Sequence, residues 1–243
     1  MLLSDEGYTD LDDHQLGASA VPDWTPFVFV VDDDISVRES LEALIGIQGW
    51  RAECFASALD FLARPRVETP SCLILDVNLP DLNGLDLQTQ IAGERLDMPI
   101  IFITGFGDIP MSVRAMKAGA VEFLTKPFDD DALIGAIRYA IDNSTTKLRQ
   151  EADLQALRDR HGLLSRRERE VMALVVAGRL NKQVGAELGI SEITVKAHRG
   201  RMMEKMMADS FADLVRMSAT LGLALPPPPE AVEPLNGGGD RHP

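Results

Sequence analysis

Three apolar runs in the first half of the chain are each followed closely by charged side chains. Residues 27–31 lead into the acidic triplet 32–34, residues 72–75 lead into Asp76, and a third run precedes Lys126. Apolar runs of this length, separated by helical patterns, are typical of parallel strands that are buried on both faces. Because ligands of such sheets bind outside the carboxyl ends of the strands, we expect these charges to converge there.

The converging charges indicate a metal site with phosphate chemistry beside it. Carboxylates that crowd together raise one another's pKa unless a cation lies among them. A hard divalent ion bound by oxygen ligands satisfies this requirement. Thr104, at the end of a fourth run, offers a hydroxyl, and Lys126 offers an ammonium suited to phosphate. Taken singly, Asp34 or Asp76 could be only a helix cap or a turn residue, but all four strand ends carry suitable groups.

The spacing of strands and helices predicts an α/β, doubly wound domain of five βα units. The first helix is expected to begin at Ser36, with Glu39 completing a capping box, and to end at Gly49. The predicted strands cover residues 27–31, 51–55, 72–75, 100–103 and 121–124.

Length and composition favour a two-domain protein of the cytoplasm. The chain has 243 residues, of which 45% are hydrophobic, so it can bury two cores. It contains no run of eighteen apolar residues that would predict a membrane span, and its acidic start lacks a signal-peptide pattern. Cys54 and Cys72 both fall in strand-like runs, which predicts reduced thiols.

The net charge of −14 conceals a basic module near the C-terminus. Residues 163–225 hold ten Lys and Arg against seven Asp and Glu, a net of +3, whereas residues 27–141 hold nine against eighteen. A polyanion would therefore bind the C-terminal module. The predicted organisation is a flexible acidic tail at 1–25, an α/β domain at 26–141, a helical linker at 142–162, an all-helical domain at 163–225 and a disordered tail at 226–243.

The basic module has the pattern of a helix-turn-helix. Ser165 and Glu168 form a capping-box pattern, and Gly178 ends the helix that they begin. A short helix from about Lys182 to Leu188, a turn containing Gly189, and a longer helix at 192–206 follow.

The longer helix has one apolar face and one face suited to close approach. Val195, Met202 and Met206 recur at helical spacing and should face the core. The opposite face carries the small residues Ala197 and Gly200, so that the helix could enter a DNA groove. The pattern alone leaves a generic bundle helix with solvated bases as an equal alternative.

Residues 27–141 resemble the receiver domain of two-component response regulators over their whole length. This resemblance implies a (βα)5 fold with sheet order 2-1-3-4-5. The matching motifs are VVDDD at 30–34, LILDVNLPDLNG at 73–84, ITG at 103–105 and MKAGAVEFLTKPF at 116–128.

The resemblance also implies a role for each residue of the acidic edge. Asp76 would accept the phosphoryl group from a histidine kinase, and Mg²⁺ (or Mn²⁺) would be bound there. Lys126 and Thr104 would bind the phosphoryl oxygens, Phe123 would be the aromatic switch residue, and the Lys126–Pro127 bond would be cis. Asp33, Asp76 and the backbone carbonyl of Asn78 would bind the metal directly, and Asp32 would help, partly through water.

The C-terminal module resembles the DNA-binding domain of FixJ/NarL (LuxR-type) regulators, through LSRREREV at 164–171, NKQVGAELGISEITVKAHR at 181–199 and MMEKM at 202–206. In that family the second helix of the pair enters the major groove. Two departures from the pattern are expected to matter: Gly200 replaces a residue that is basic in some relatives, and Gly185 replaces an alanine, which would loosen the helix pair slightly. Arg199 lies nearer the core face of the helix and is expected to pack or to contact a phosphate. From the helical pattern and the resemblance together, the expected DNA-binding residues are Asn181, Lys182, Thr194, Lys196, Ala197, Arg199, Gly200 and Arg201.

Together the two resemblances imply a phosphorylation-activated transcriptional regulator rather than an enzyme. Its expected partners are a histidine kinase, double-stranded promoter DNA, a second copy of the chain after phosphorylation, and RNA polymerase, with no membrane. An enzymatic alternative, a phosphatase with Asp76 as covalent nucleophile, needs an acid where Asn78 stands. A further alternative is an orphan regulator that dimerises without phosphorylation, which the complete acid, threonine and lysine set disfavours.

Overall fold

The computed structural model describes residues 25–93, 98–105 and 107–223. The chain divides into two compact units between Thr145 and Thr146. Most of the predicted acidic tail and all of the predicted C-terminal tail, 226–243, lie outside the described residues.

The first unit alternates strands and helices, as the sequence predicts. Most boundaries fall within one or two residues of the predicted ones. Its elements are β1 (Phe27–Val31), α1 (Ile35–Ile47), β2 (Arg51–Phe55), α2 (Ala58–Ala63), β3 (Ser71–Asp76), α3 (Gly84–Ile91), β4 (Ile100–Thr104), α4 (Ile109–Lys117), β5 (Glu122–Thr125) and α5 (Asp130–Gly162).

The five strands form one parallel sheet in the order β2-β1-β3-β4-β5, which confirms the expected topology. Alternate residues of each strand enter separate apolar cores on the two faces of the sheet. In β1, Phe29 packs with residues of α2, α3 and α4, whereas Val28 and Val30 pack with residues of α1 and α5. Because both faces are covered, the strands appear in the sequence as continuous apolar runs.

The start of α1 differs from the prediction. Asp34, not Ser36, is the N-cap, because its backbone is extended and its carboxylate accepts a hydrogen bond from Ser36 N at 2.8 Å. Ser36 therefore lies inside the first turn, and the predicted Ser36–Glu39 capping box was wrong. The helix ends at Ile47, where Gly49 with φ of +81° permits the left-handed backbone that follows.

The predicted linker is helical and continuous with the last receiver-like helix. The helix α5 runs for 33 residues, so its residues belong to both compact units. In the first unit, buried Ser144 accepts a hydrogen bond from Ser71 N at 3.0 Å. In the second unit, Leu157 is part of the apolar core.

The second unit is all-helical in the described range. The helices follow the predicted boundaries closely, and Val195, Met202 and Met206 are fully buried, as the periodicity indicates. Beyond α5, its elements are α6 (Arg166–Val176), α7 (Asn181–Leu188), α8 (Glu192–Met206) and α9 (Phe211–Thr220).

An ion pair between a buried glutamate and a partly exposed lysine connects α6 with α8. Ser165 and Glu168 form the predicted capping box, and Lys205 Nζ lies 2.7 Å from a Glu168 carboxylate oxygen. The hydrogen bonds from Lys205 and from Ser165 N lower the pKa of Glu168 to about 2. The pair therefore contributes stability at neutral pH, and this contribution is lost as the pH falls from about 4.5 towards 2.

Gly185 permits close packing in the helix pair, contrary to the expectation that it loosens the pair. A Cβ atom at this position would lie 2.7 Å from the carbonyl oxygen of Ile190, which is backbone and cannot move away independently. In contrast, a Cβ at Gly200 on α8 would meet no atom within 4 Å. Close packing therefore requires a glycine at position 185, whereas a larger residue would fit at position 200.

Two further predictions concern membrane-spanning helices and the two cysteines. No helix in ranges 25–93, 98–105 and 107–223 is both long and apolar enough to cross a membrane. Cys54 and Cys72 are free thiols, and complete burial raises the pKa of Cys72.

The two glycines give a matched test of the packing in the second unit. We predict that Gly185→Ala lowers the free energy of unfolding by about 1–3 kcal/mol through overpacking. Gly200→Ala should raise it by about 1 kcal/mol, because alanine is the better helix former. Both tryptophans, Trp24 and Trp50, precede the second unit, so urea unfolding should shift when followed by far-UV circular dichroism but not by tryptophan fluorescence. A Gly185→Ala variant at least as stable as wild type would contradict this account.

Candidate functional site

The strand ends bring the predicted charged residues together at one edge of the first unit. The register places Val31 beside Leu75 and Asp76 beside Ile103, and it aligns Thr104 with Thr125. The residues that end or follow these strands, Asp32, Asp76, Thr104 and Lys126, therefore lie next to one another. The expected convergence is observed.

Lys126 bridges the two buried carboxylates. Its Nζ atom lies 2.6 Å from Asp32 Oδ2 and 2.9 Å from Asp76 Oδ2. The Asp32 side chain is fully buried, the Asp76 side chain is 9% exposed, and the Lys126 side chain is 22% exposed. The Lys126–Pro127 peptide bond is cis, as expected.

Burial and ion pairing have opposite effects on the pKa values of Asp32 and Lys126. Burial raises the pKa of Asp32 above its ordinary value, although the hydrogen bond from Lys126 acts in the opposite direction. Burial alone would lower the pKa of Lys126, but its hydrogen bonds to Asp32 and Asp76 raise it. The ammonium is therefore held charged between two carboxylates, and it offsets the repulsion between them.

The carboxylates fit a divalent cation. One ligand oxygen each from Asp32, Asp33 and Asp76 can be chosen so that all three lie within 4.8 Å of one another. All are hard oxygen donors, of the kind that Mg²⁺ prefers. Asp33 is exposed whereas Asp32 and Asp76 are buried, so the cluster is open to solvent on one side.

Arg38 is a residue of this site that the sequence reasoning missed. Its Nη1 atom donates to the backbone carbonyls of Asp32 at 2.7 Å and Asp33 at 2.9 Å. These bonds hold the loop after β1, and with it two of the candidate metal ligands. The only signal in the sequence is a basic residue one turn into α1, and basic residues are common on solvated helix surfaces.

The loop after β3 is fixed at two points. The Asn78 backbone N–H donates to Asp76 Oδ1 at 3.0 Å, and Asp81 accepts from Leu59 N at 2.9 Å and Ala58 N at 3.3 Å. Although burial by itself raises the pKa of Asp81, these backbone donors lower it. Asp81, also missed from sequence, thus ties the loop that carries Asn78 to the start of α2.

Thr104 and Phe123 both lie close to Gly107, in the loop after β4. Thr104 is fully buried, and its hydroxyl accepts a hydrogen bond from Asn78 Nδ2 at 3.4 Å. A Cβ at Gly107 would lie 3.0 Å from Phe123 Cε1 and 3.2 Å from Thr104 Cγ2. Phe123 is half-buried and also packs against Phe102, with ring centres 6.2 Å apart.

The second unit presents the predicted free face of α8. Ala197, Gly200 and Arg201 are exposed, opposite the buried Val195. Lys196 is also exposed and lies 3.2 Å from Glu192 on the same helix. Thr194 is exposed in the first turn, where its hydroxyl lies 2.8 Å from the Ser191 hydroxyl. Small and basic side chains therefore share one accessible surface.

The remaining predicted contacts lie around the start of α7. Lys182 is exposed, whereas Asn181 is half-buried. Arg199 is also half-buried, and its Nη1 donates to Asn181 Oδ1 at 2.7 Å. The structure thus places Arg199 on the opposite side of α8 from the exposed Ala197 and Arg201.

Two known families match the chain, one in each compact unit. The family described as "Response regulator receiver domain" matches residues 28–138. The family described as "Bacterial regulatory proteins, luxR family" matches residues 162–218. The chain belongs to the response regulators with a LuxR-type DNA-binding domain.

Curated relatives and a solved structure are similar to this chain over most of their length. Nodulation protein W of Bradyrhizobium diazoefficiens is 51% identical over 197 residues, which cover 81% of this chain and 87% of that protein. Response regulator protein TmoT of Ectopseudomonas mendocina is 44% identical, with 85% of this chain and 94% of that protein covered. The solved structure of the response regulator StyR matches with a TM-score of 0.74 and 43% identity, covering 81% of this chain and 99% of that one.

In this response regulator, the Lys126 bridge makes a testable electrostatic prediction. Lys126→Met should lower the stability of the receiver domain by about 1–3 kcal/mol without Mg²⁺, because the buried carboxylates lose their shared partner. Saturating Mg²⁺ should restore more stability to the variant than it adds to wild type, because the ion supplies the missing positive charge. Urea unfolding followed by Trp50 fluorescence measures both effects.

Lys117→Met removes an equal charge from the exposed surface of α4 and serves as the control. It should leave stability and its Mg²⁺ dependence near those of wild type. Equal free energies of unfolding for the two variants without Mg²⁺ would show that the Lys126 bridge does not stabilise the receiver domain.

Proposed function

We propose that this regulator accepts a phosphoryl group on Asp76 from a histidine kinase and then binds promoter DNA as a dimer. The observation that carries the proposal is the Lys126 ammonium shared between Asp32 and Asp76 at the end of the sheet. This bridge keeps a cation beside Asp76, the more exposed of the two carboxylates. We place the protein in the cytoplasm, where its kinase and DNA partners would be met.

The proposed transfer is a displacement at phosphorus. A carboxylate oxygen of Asp76 forms the new O–P bond as the N–P bond of the kinase phosphohistidine breaks, and the electron pair returns to the imidazole nitrogen. Lys126 then pairs with a phosphoryl oxygen, and the Thr104 hydroxyl hydrogen-bonds another. Asp32, Asp33, Asp76 and the Asn78 carbonyl would hold Mg²⁺, which neutralises charge on the phosphoryl group when bound. Beyond its own phosphorylation and dephosphorylation, we propose no enzymatic activity.

Phosphorylation would be transmitted through Thr104 and Phe123. The new group adds nearly two negative charges and three acceptor oxygens. As Thr104 moves towards them, it vacates space beside Phe123, which already shares the Gly107 contact with it. The aromatic ring would then turn inwards and alter the surface of α4 and β5.

The surface of α4 supports dimerisation. Ile109, Val113 and Met116 occur at i, i+4 and i+7 and are 80%, 44% and 45% exposed. An apolar stripe of this kind on a helix is typical of an interaction surface. We propose that the second copy covers it after phosphorylation, so that two weak DNA contacts act as one strong one.

The DNA contacts would come from α8 and the start of α7. The exposed small residues Ala197 and Gly200 let the backbone approach the groove, while Lys196 and Arg201 reach base edges or phosphates. Thr194 lies in the first turn of α8. Asn181 and Lys182 would contact the DNA backbone at the helix start. RNA polymerase is the proposed partner at the promoter.

The phosphoacceptor assignment predicts which aspartate is modified. After incubation with acetyl phosphate and Mg²⁺, wild type should give a retarded band on a Phos-tag gel, and Asp76→Asn should give none. Asp86→Asn, a change of the same kind on the exposed side of α3, should label like wild type. Equal labelling of Asp76→Asn and wild type would remove Asp76 as the acceptor.

A further inference from the structure

Arg199 connects the starting residues of two other helices in the DNA-binding domain. Its Nη1 atom donates to Oδ1 of Asn181, the first residue of α7, at 2.7 Å. Its guanidinium carbon lies 5.2 Å from the ring centre of Phe211, the first residue of α9. A guanidinium at this distance from an aromatic face makes a cation–π contact. One side chain of α8 thus holds both neighbours.

The position of Arg199 on α8 separates it from the free face of the helix. Arg199 lies four residues after Val195 and three before Met202, both fully buried. Residues at these spacings share a face of a helix, so Arg199 borders the core. Its half-buried guanidinium is occupied by Asn181 and Phe211, whereas Arg201 is exposed.

The chemistry of this contact fixes the orientation of the Asn181 amide. A guanidinium has only N–H donors, so the Asn181 oxygen must face it and the amide NH₂ group must point elsewhere. The start of α7 does not need this side chain as a cap, because Leu180 N donates to the Gln183 side chain at 2.9 Å. The contact therefore sets which group Asn181 offers rather than whether α7 forms.

We propose that Arg199 is a positioning residue: it orients the Asn181 amide so that its NH₂ group donates to a DNA phosphate, and does not contact DNA itself. This inference rests on the proposed contact between Asn181 and the DNA backbone. It assigns the two arginines of α8 to different tasks. Arg199 arranges the start of α7, and Arg201 meets the DNA directly.

A double-mutant cycle on the full-length protein tests the proposal. The probe is a mixed-sequence DNA duplex, with beryllofluoride and Mg²⁺ present, and affinity is measured by fluorescence anisotropy at several salt concentrations. Asn181→Ala and Arg199→Met should each weaken binding about fivefold, the loss of one hydrogen bond. The double variant should bind no more weakly than the weaker single variant, because both changes remove the same contact.

The salt dependence separates positioning from direct phosphate contact. Arg201→Met is the matched control and should lower the slope of log affinity against log salt by about one. Arg199→Met should change that slope by less than half as much. Additive losses in the cycle, an equal slope change for both arginines, or wild-type affinity of Arg199→Met would each overturn the positioning role.

Two controls keep the outcome interpretable. Far-UV circular dichroism checks folding; if Arg199→Met unfolds the domain, Arg199→Lys replaces it. The lysine retains the charge but lacks the planar fork, so positioning predicts about threefold weaker binding with an unchanged slope, whereas unchanged affinity contradicts it. If Arg199→Met binds DNA more weakly as predicted but Asn181→Ala binds like wild type, the positioning role and the proposed contact between Asn181 and DNA are both contradicted. Wild type that does not bind the duplex contradicts both proposals.

Discussion

The structure of this response regulator depends on placing three carboxylates of like charge at one edge of a sheet. The parallel topology brings Asp32 and Asp76 to adjacent strand ends, where burial penalises the charged form of Asp32. The Lys126 ammonium, 2.6 Å and 2.9 Å from these two residues, compensates for the crowding. The proposed chemistry uses the same balance, because any added negative charge must be met by the lysine and a divalent ion.

Much of the fold could be predicted because it is encoded in local patterns. The strands are buried on both faces and therefore appear as apolar runs, and the α8 core face follows from Val195, Met202 and Met206. The residues that were missed act through contacts outside their own helix or turn. Arg38 binds backbone carbonyls of the loop that precedes α1, and Asp81 binds the start of α2 from more than twenty residues away. Neither leaves a periodic signal.

The errors have the same origin. Ser36 and Asp34 are both good N-cap residues, and only the backbone path after β1 decides between them. Gly185 was expected to loosen the helix pair because it replaces an alanine, but a Cβ at this position would collide with the carbonyl oxygen of Ile190. The expected DNA contact of Arg199 is a different case, because it stays a prediction. Its partners, Asn181 and Phe211, are identified only by the packing of three helices.

The central claim is that Asp76 accepts the phosphoryl group and that the Lys126 ammonium then pairs with a phosphoryl oxygen. A crystal structure of the protein with Mg²⁺ and beryllofluoride, a phosphoryl mimic, tests this most directly. The account predicts beryllofluoride attached to Asp76, with Lys126 Nζ and the Thr104 hydroxyl each within hydrogen-bonding distance of a fluoride. An empty pocket, or beryllofluoride on a different carboxylate, would contradict it.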